Sequence, residues 1–201
     1  MTLPTPLELL AVVTSALAVW FSVRRRIATW PTSIVAVSAY LVVFVRERLY
    51  ADAALQIVFL AQSIYGWWAW TGAERRAEPP VRVLGRRWRV ATIAGVALAA
   101  LGAGTLLDRQ TDAAAPYWDA TASLTSLAAN QLLARRVLES WLLWMAADVV
   151  YVGLFAWKGL YASALLYVVF FGMCVAGLVR WRREYAVQRR THPSLEAVVP
   201  A

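Results

Sequence analysis

The sequence predicts an all-α integral membrane protein of seven transmembrane helices, built as two parallel three-helix repeats joined by a linker helix. Three observations lead there. First, the 201 residues are 61% hydrophobic and only 16% charged, with a mean hydropathy of +0.55. A water-soluble domain of this length cannot hide so much apolar surface, so lipid is the natural solvent. Second, the apolar residues fall into seven runs of spanning length. Backbone in hydrocarbon must close its own hydrogen bonds, and long runs without alternation do so as helices, not as a barrel. Third, LYADAALQIVF at 49–59 returns as LYASALLYVVF at 160–170.

Taken in order, the predicted helices cover about 6–23, 28–45, 49–71, 89–107, 114–134, 138–157 and 160–180. The first lacks the basic start and small-residue cleavage site of a signal peptide, so it reads as a span. Between the third and fourth, residues 72–88 are rich in Arg and contain Pro79-Pro80, which predicts a solvated loop. The resulting organisation is a first three-helix repeat over 1–71, an inner loop with linker helix over 72–110, a second repeat over 111–182 and a tail over 183–201. The tail is basic, then polar, and is expected to end without order.

Lys and Arg set the orientation. With the N-terminus outside, 16 of the 20 basic residues fall in inner segments and only Arg46, Arg48, Arg109 and Lys158 fall outside. That bias predicts N-out, C-in, and it assigns the Arg clusters to topology and anionic lipid, with no nucleic-acid partner.

The repeat is ungapped at a displacement of 111 residues. Trp30 meets Trp141, Ala36 meets Ala147, Tyr40 meets Tyr151, Gly66 meets Gly177 and Trp70 meets Trp181. Helices one to three thus correspond to five to seven, and the displacement of four helices makes the triplets parallel. That architecture belongs to transporters, with the substrate site at the repeat interface near the midplane. Duplication kept only for packing is the alternative. An asymmetric ligand needs the two walls to differ, and they do: Asp52 meets Ser163, Gln56 meets Tyr167, and Asp148 meets Val37.

The candidate site residues follow from depth and spacing. In helix six, Trp141, Trp144 and Asp148 stand at i, i+3 and i+7, so they share a face. A carboxylate at mid-membrane depth costs a few kcal/mol and marks function or a buried partner. Two indoles beside an acid suit a flat aromatic cation, which they stack against while the acid balances its charge. An interfacial belt is the alternative for the Trp pair, and an interhelical packing bond is the alternative for Asp148. Asp52 and Gln56 share a face of helix three; Gln56 is the deeper, and Asp52 also fits a helix N-terminal role. Of Asn130 and Gln131 at most one can line a cavity. Glu8 and Asp119, at matching positions, predict capping.

Enzyme signatures are missing: no phosphate-binding loop, H-E-x-x-H or G-x-S-x-G occurs. The single Cys, Cys174, lies in an apolar run and the single His, His192, lies in the tail, so no disulfide frame, cysteine metal site or cofactor is implied.

The residues LYADAALQ at 49–56, YGWWAW at 65–70, LLARRVLESWLLW at 132–144, DVVY at 148–151 and KGLY at 158–161 resemble the PnuC family of vitamin-precursor transporters over most of the chain. The resemblance implies a fold similar to the SWEET sugar transporters, a homotrimer, and a place in the bacterial plasma (inner) membrane. It implies import of nicotinamide riboside, a cationic NAD precursor, by facilitated diffusion, with a separate cytoplasmic kinase trapping the substrate. The family's W-x-x-W falls on Trp141 and Trp144 and its third-helix Gln on Gln56. Family members carry Asn where Ser140 stands, Gln at the place of Asn130 and Gly at the place of Ser33. Thiamine is the alternative substrate, riboflavin a further one in the family, and a receptor that binds without transporting is the alternative of another class.

Overall fold

The computed structural model describes residues 5–48, 50–74, 80–111 and 115–191. Among them run seven helices: α1 Pro6–Val23, α2 Thr29–Arg46, α3 Tyr50–Glu74, α4 Arg86–Gln110, α5 Pro116–Ala134, α6 Ser140–Trp157 and α7 Tyr161–Thr191. The all-α fold is as expected. The chain divides into two units, 1–79 and 80–201, each taken here by itself.

In the first unit α2 packs against both α1 and α3. α1 opens on a capping box: the Thr5 hydroxyl accepts from the Glu8 N–H at 3.3 Å, and the Glu8 carboxylate accepts from the Thr5 N–H at 2.6 Å. Glu8 is therefore the cap that its position predicts. The turn into α2 passes through Arg25 at φ 55° and closes with the Arg26 N–H on the Phe21 carbonyl at 2.9 Å. Thr29 Oγ1 shares a hydrogen bond with Ser22 and donates to the Ala18 carbonyl at 2.6 Å, tying α2 to α1. Trp30 is 1% exposed and meets Trp70 edge-on, with ring centroids 5.5 Å apart at 81°. Gly66 makes room for it, since a Cβ there would stand 2.4 Å from the Trp30 ring.

The second unit packs α4 on α5, α5 on α6 and α6 on α7, and its local geometry recurs at the repeat spacing. The α5–α6 turn passes through Arg136 at φ 58°, with the Val137 N–H on the Leu132 carbonyl at 3.0 Å. Trp141, 1% exposed, meets Trp181 edge-on at 5.5 Å and 84°, and a Cβ at Gly177 would lie 2.7 Å from its ring. Tyr40 and Phe44 stack at 5.7 Å; Tyr151 and Phe155 stack at 5.9 Å. Gly104 lets α4 approach α5, where a Cβ would stand 2.5 Å from Tyr117.

Three expectations need correction. Residues 72–88 do not form one solvated loop: α3 continues to Glu74, α4 starts at Arg86, and Val81 and Leu84 are buried, because apolar side chains between the arginines have a packing partner in the α5–α6 turn. α7 runs on to Thr191, past its expected end near 180, while the end of the tail lies outside the described residues. Asp119 makes no cap hydrogen bond. The α5 N-cap is Ala115, which has no acceptor side chain, and Pro116 occupies the place of Thr5, so Asp119 instead pairs with Lys158 at 3.9 Å. By length and composition α1, α2, α4, α6 and residues 163–191 of α7 are each long and apolar enough to cross a membrane, and α3 and α5, of 25 and 19 residues, have a lower hydropathy among the described residues. Their polar positions lower it: Asp52, Gln56, Gln62 and Ser63 on α3, and Thr125, Ser126, Asn130 and Gln131 on α5. The expected ends at 75–79, 112–114 and 192–201, His192 included, lie outside the described residues, as does Leu49.

Candidate functional site

α6 carries a buried carboxylate, Asp148, inside the apolar frame. Its start is fixed by the tight turn described above, with the Ser140 N–H on the Val137 carbonyl at 3.2 Å and the Trp141 N–H on the Leu138 carbonyl at 3.2 Å. From there the helix carries Trp141, Trp144 and Asp148 along one face. Their circumstances differ. Trp141 is enclosed by Trp181 and Gly177, so it is not a belt residue, which would need an exposed ring. Its Nε1 has no hydrogen-bond partner, and neither has that of Trp30 at the matching place in the first unit. The same enclosure in both units marks this indole as part of the packing. Trp144, three residues on, is half-buried and makes no ring contact or hydrogen bond among the described residues.

Asp148 is 3% exposed. Its one hydrogen bond comes from the Cys174 thiol of α7 at 3.5 Å, and no basic residue pairs with it among the described residues. A thiol is a weak donor, so the carboxylate's charge is left largely uncompensated within the unit. The counterpart of Cys174 is Ser63, whose hydroxyl instead donates to the Phe59 carbonyl of its own helix at 2.8 Å. The second unit thus turns a bond within one helix into a bond between two.

Asn130 lies buried on α5, 9% exposed and hydrogen-bonded, while Gln131 beside it is half-buried. One turn earlier Ser126 is buried without a partner for its hydroxyl, as is Ser140 at the start of α6. In the first unit Asp52 is exposed and has a partner, whereas Gln56 is half-buried and makes no hydrogen bond among the described residues. The contrast at this register is informative. In the second unit Tyr167 occupies it and completes an aromatic stack, 4.5 Å from Tyr151 and 5.4 Å from Phe155. In the first, Tyr40 and Phe44 stack as a pair and Gln56 holds the matching register.

The structure therefore joins Asp148 to Cys174 and Trp141 to Trp181, and it leaves Trp144 and Gln56 half-buried without hydrogen-bond or ring partners among the described residues. Sequence reasoning missed Cys174, which it had weighed only for disulfides and metals, and the Tyr151–Phe155–Tyr167 stack. The signal available was the repeat, which pairs Cys174 with Ser63 and Tyr167 with Gln56. Among the described residues no cluster of His, Cys, Asp or Glu is suited to a metal ion.

The family model described as nicotinamide mononucleotide transporter matches residues 5–183. The nicotinamide riboside transporter PnuC of Escherichia coli strain K12 is 25% identical, over 87% of this chain and 84% of its own. The riboflavin/roseoflavin transporter RibM of Streptomyces davaonensis is 28% identical, over 79% of this chain and 76% of its own. The crystal structure of the vitamin B3 transporter PnuC superposes with a TM-score of 0.72 at 22% identity, covering 89% of this chain and 81% of that one, which supports the fold.

Proposed function

Because the chain belongs to the nicotinamide mononucleotide transporter family, whose members are integral membrane transporters of vitamins and not enzymes, we propose that it imports nicotinamide riboside by facilitated diffusion. The observation that carries this choice is the α6 face, where the half-buried ring of Trp144 stands one helical turn from a buried carboxylate whose only hydrogen-bond partner among the described residues is a thiol. A flat cation satisfies both, stacking on the indole and neutralising Asp148. Gln56 and Asn130 supply hydrogen bonds to the rest of the ligand, Trp141 holds the wall behind Trp144, and Asp52 lies toward the outer end. The proposed setting is a bacterial inner membrane, N-terminus outside and C-terminus in the cytoplasm, with three copies forming the particle. No cofactor takes part.

Riboflavin is the second reading, favoured by the likeness to a riboflavin transporter. It is neutral and makes no use of Asp148, which places it behind nicotinamide riboside; thiamine, flat and cationic, shares the chemistry of the first choice. Labelled nicotinamide riboside should enter proteoliposomes containing the purified protein and stop at the equilibrium set by the membrane potential. Uptake of riboflavin or thiamine alone would replace the substrate, binding without uptake would make the protein a receptor, and concentration beyond that equilibrium under an imposed proton or sodium gradient would remove facilitated diffusion. For orientation, a cysteine introduced at Gln110 should react with an impermeant thiol reagent from the outside of cells; reaction only from the cytoplasmic side reverses the topology.

A further inference from the structure

Residues 80–85 form a strap held at several points within the second unit. The Arg82 N–H donates to the Arg136 carbonyl at 3.0 Å and the Arg82 carbonyl accepts from the Leu138 N–H at 2.8 Å, a parallel bridge to Val137. The Val81 N–H donates to Gln188 Oε1 on the α7 extension at 3.0 Å. The Leu84 N–H donates to Glu139 Oε2 at 3.0 Å, and the other carboxylate oxygen accepts from Arg89 Nε in the first turn of α4 at 2.9 Å. Beneath these bonds Leu84 packs with Leu132 and Val137. Glu139 is the node. It is 9% exposed, both its oxygens are engaged, and it directly precedes the helix that carries Trp144 and Asp148. The residue 111 positions earlier is Ala28, which has no group for such a role.

We propose that the strap is a fixed clamp with Glu139 as its latch, and that it stays docked while substrate passes, holding the start of α6 so that the Trp144–Asp148 face keeps one pose. Glu139 is a positioning residue that touches no ligand. The transport consequence rests on the reading of α6 as the substrate wall; the clamp itself does not, so the two can fail separately.

Three variants test it, each read by amide hydrogen exchange and by uptake of labelled nicotinamide riboside. Glu139→Ala should speed exchange at Arg82, Leu84 and Leu138 by about ten- to a hundredfold, the loss of a bond to a charged acceptor. It should raise KM for uptake by about tenfold or more, as misplacing a binding face does, with Vmax changed less. Glu139→Gln keeps an acceptor for the Leu84 N–H and should recover most of both readouts. The pair Arg82→Cys with Val137→Cys places thiols on bridged residues about 4.8 Å apart, within the span of a disulfide. Once oxidised, it should leave uptake unchanged. Arrest of uptake by that cross-link, reversed by reductant, would show that the strap must open and overturn the clamp. Fast exchange at these amides with unchanged KM would overturn the link to α6, and unchanged exchange would overturn the latch. If Glu139→Ala does not fold, Glu139→Gln and the cross-link carry the same decisions. If the unmodified protein takes up no nicotinamide riboside, the substrate reading fails and the exchange measurement still judges the clamp.

Discussion

Trp141→Ala and Trp30→Ala are expected to destabilise the protein to a similar degree, by about 3–5 kcal/mol each, as deletion of an enclosed indole does. Each ring is 1% exposed, meets a second Trp edge-on, and lies against a glycine. The loss is one of packing contacts, which hold helices together in lipid where no hydrophobic force acts between them. Thermal unfolding in detergent would read it as a drop on the order of ten degrees for either variant. Gly177→Ala should act in the same direction, because its Cβ would stand 2.7 Å from the Trp141 ring and the ring would have to move. Trp30 serves as the control, since it lies outside the proposed ligand face. If Trp141→Ala left stability intact and abolished nicotinamide riboside binding, Trp141 would touch the ligand and the packing account would be wrong.

Trp144→Ala and Asp148→Asn are expected to act on the ligand instead. Removal of the half-buried indole should weaken nicotinamide riboside binding by roughly ten- to a hundredfold, about 1–3 kcal/mol, while Trp144→Phe retains most of it. Asp148→Asn keeps size and hydrogen bonding but removes charge. It should therefore weaken the cationic riboside more than the neutral, reduced riboside of the same shape. Isothermal calorimetry with both ligands separates the outcomes: an equal loss for the two, or a loss of expression with unchanged affinity, would make Asp148 a packing residue joined to Cys174. Conservative changes at Ser33 and Val37, which match Trp144 and Asp148 by the repeat, should matter less, and equal effects there would mean a symmetric site.

The helices α1, α2, α4, α6 and α7 were legible because hydropathy is a property of each segment alone, and α3 and α5 were legible through the repeat, which needs only the chain compared with itself. The roles within the repeat were harder. Trp141 and Trp144 look alike at i and i+3, yet one is enclosed by Trp181, forty residues on, and the other is half-buried without a ring partner among the described residues; only a tertiary contact separates them. Cys174 gives no local sign that its thiol turns toward α6 when Ser63, its counterpart, turns to its own backbone. The strap was hidden for a similar reason. Its arginines and Pro79-Pro80 suggest a loop, and Val81 and Leu84 find their cover in a turn some fifty residues away. The loss of the Asp119 cap was readable, since Pro116 replaces Thr5 at that register.

The polarity of α5 bears on how the chain enters its membrane. Thr125, Ser126 and Asn130 are buried inside the unit, and the helix is less apolar than the spans on either side of it, α4 and α6. Leaving the translocon alone, such a segment would face acyl chains with hydroxyls and an amide in need of partners, which disfavours release. Together with α4 or α6, it can turn those groups toward a neighbour before it meets lipid. The nascent chain is thus best released as a helical hairpin, and membrane residence for α5 is a property of the pair rather than of its own nineteen residues.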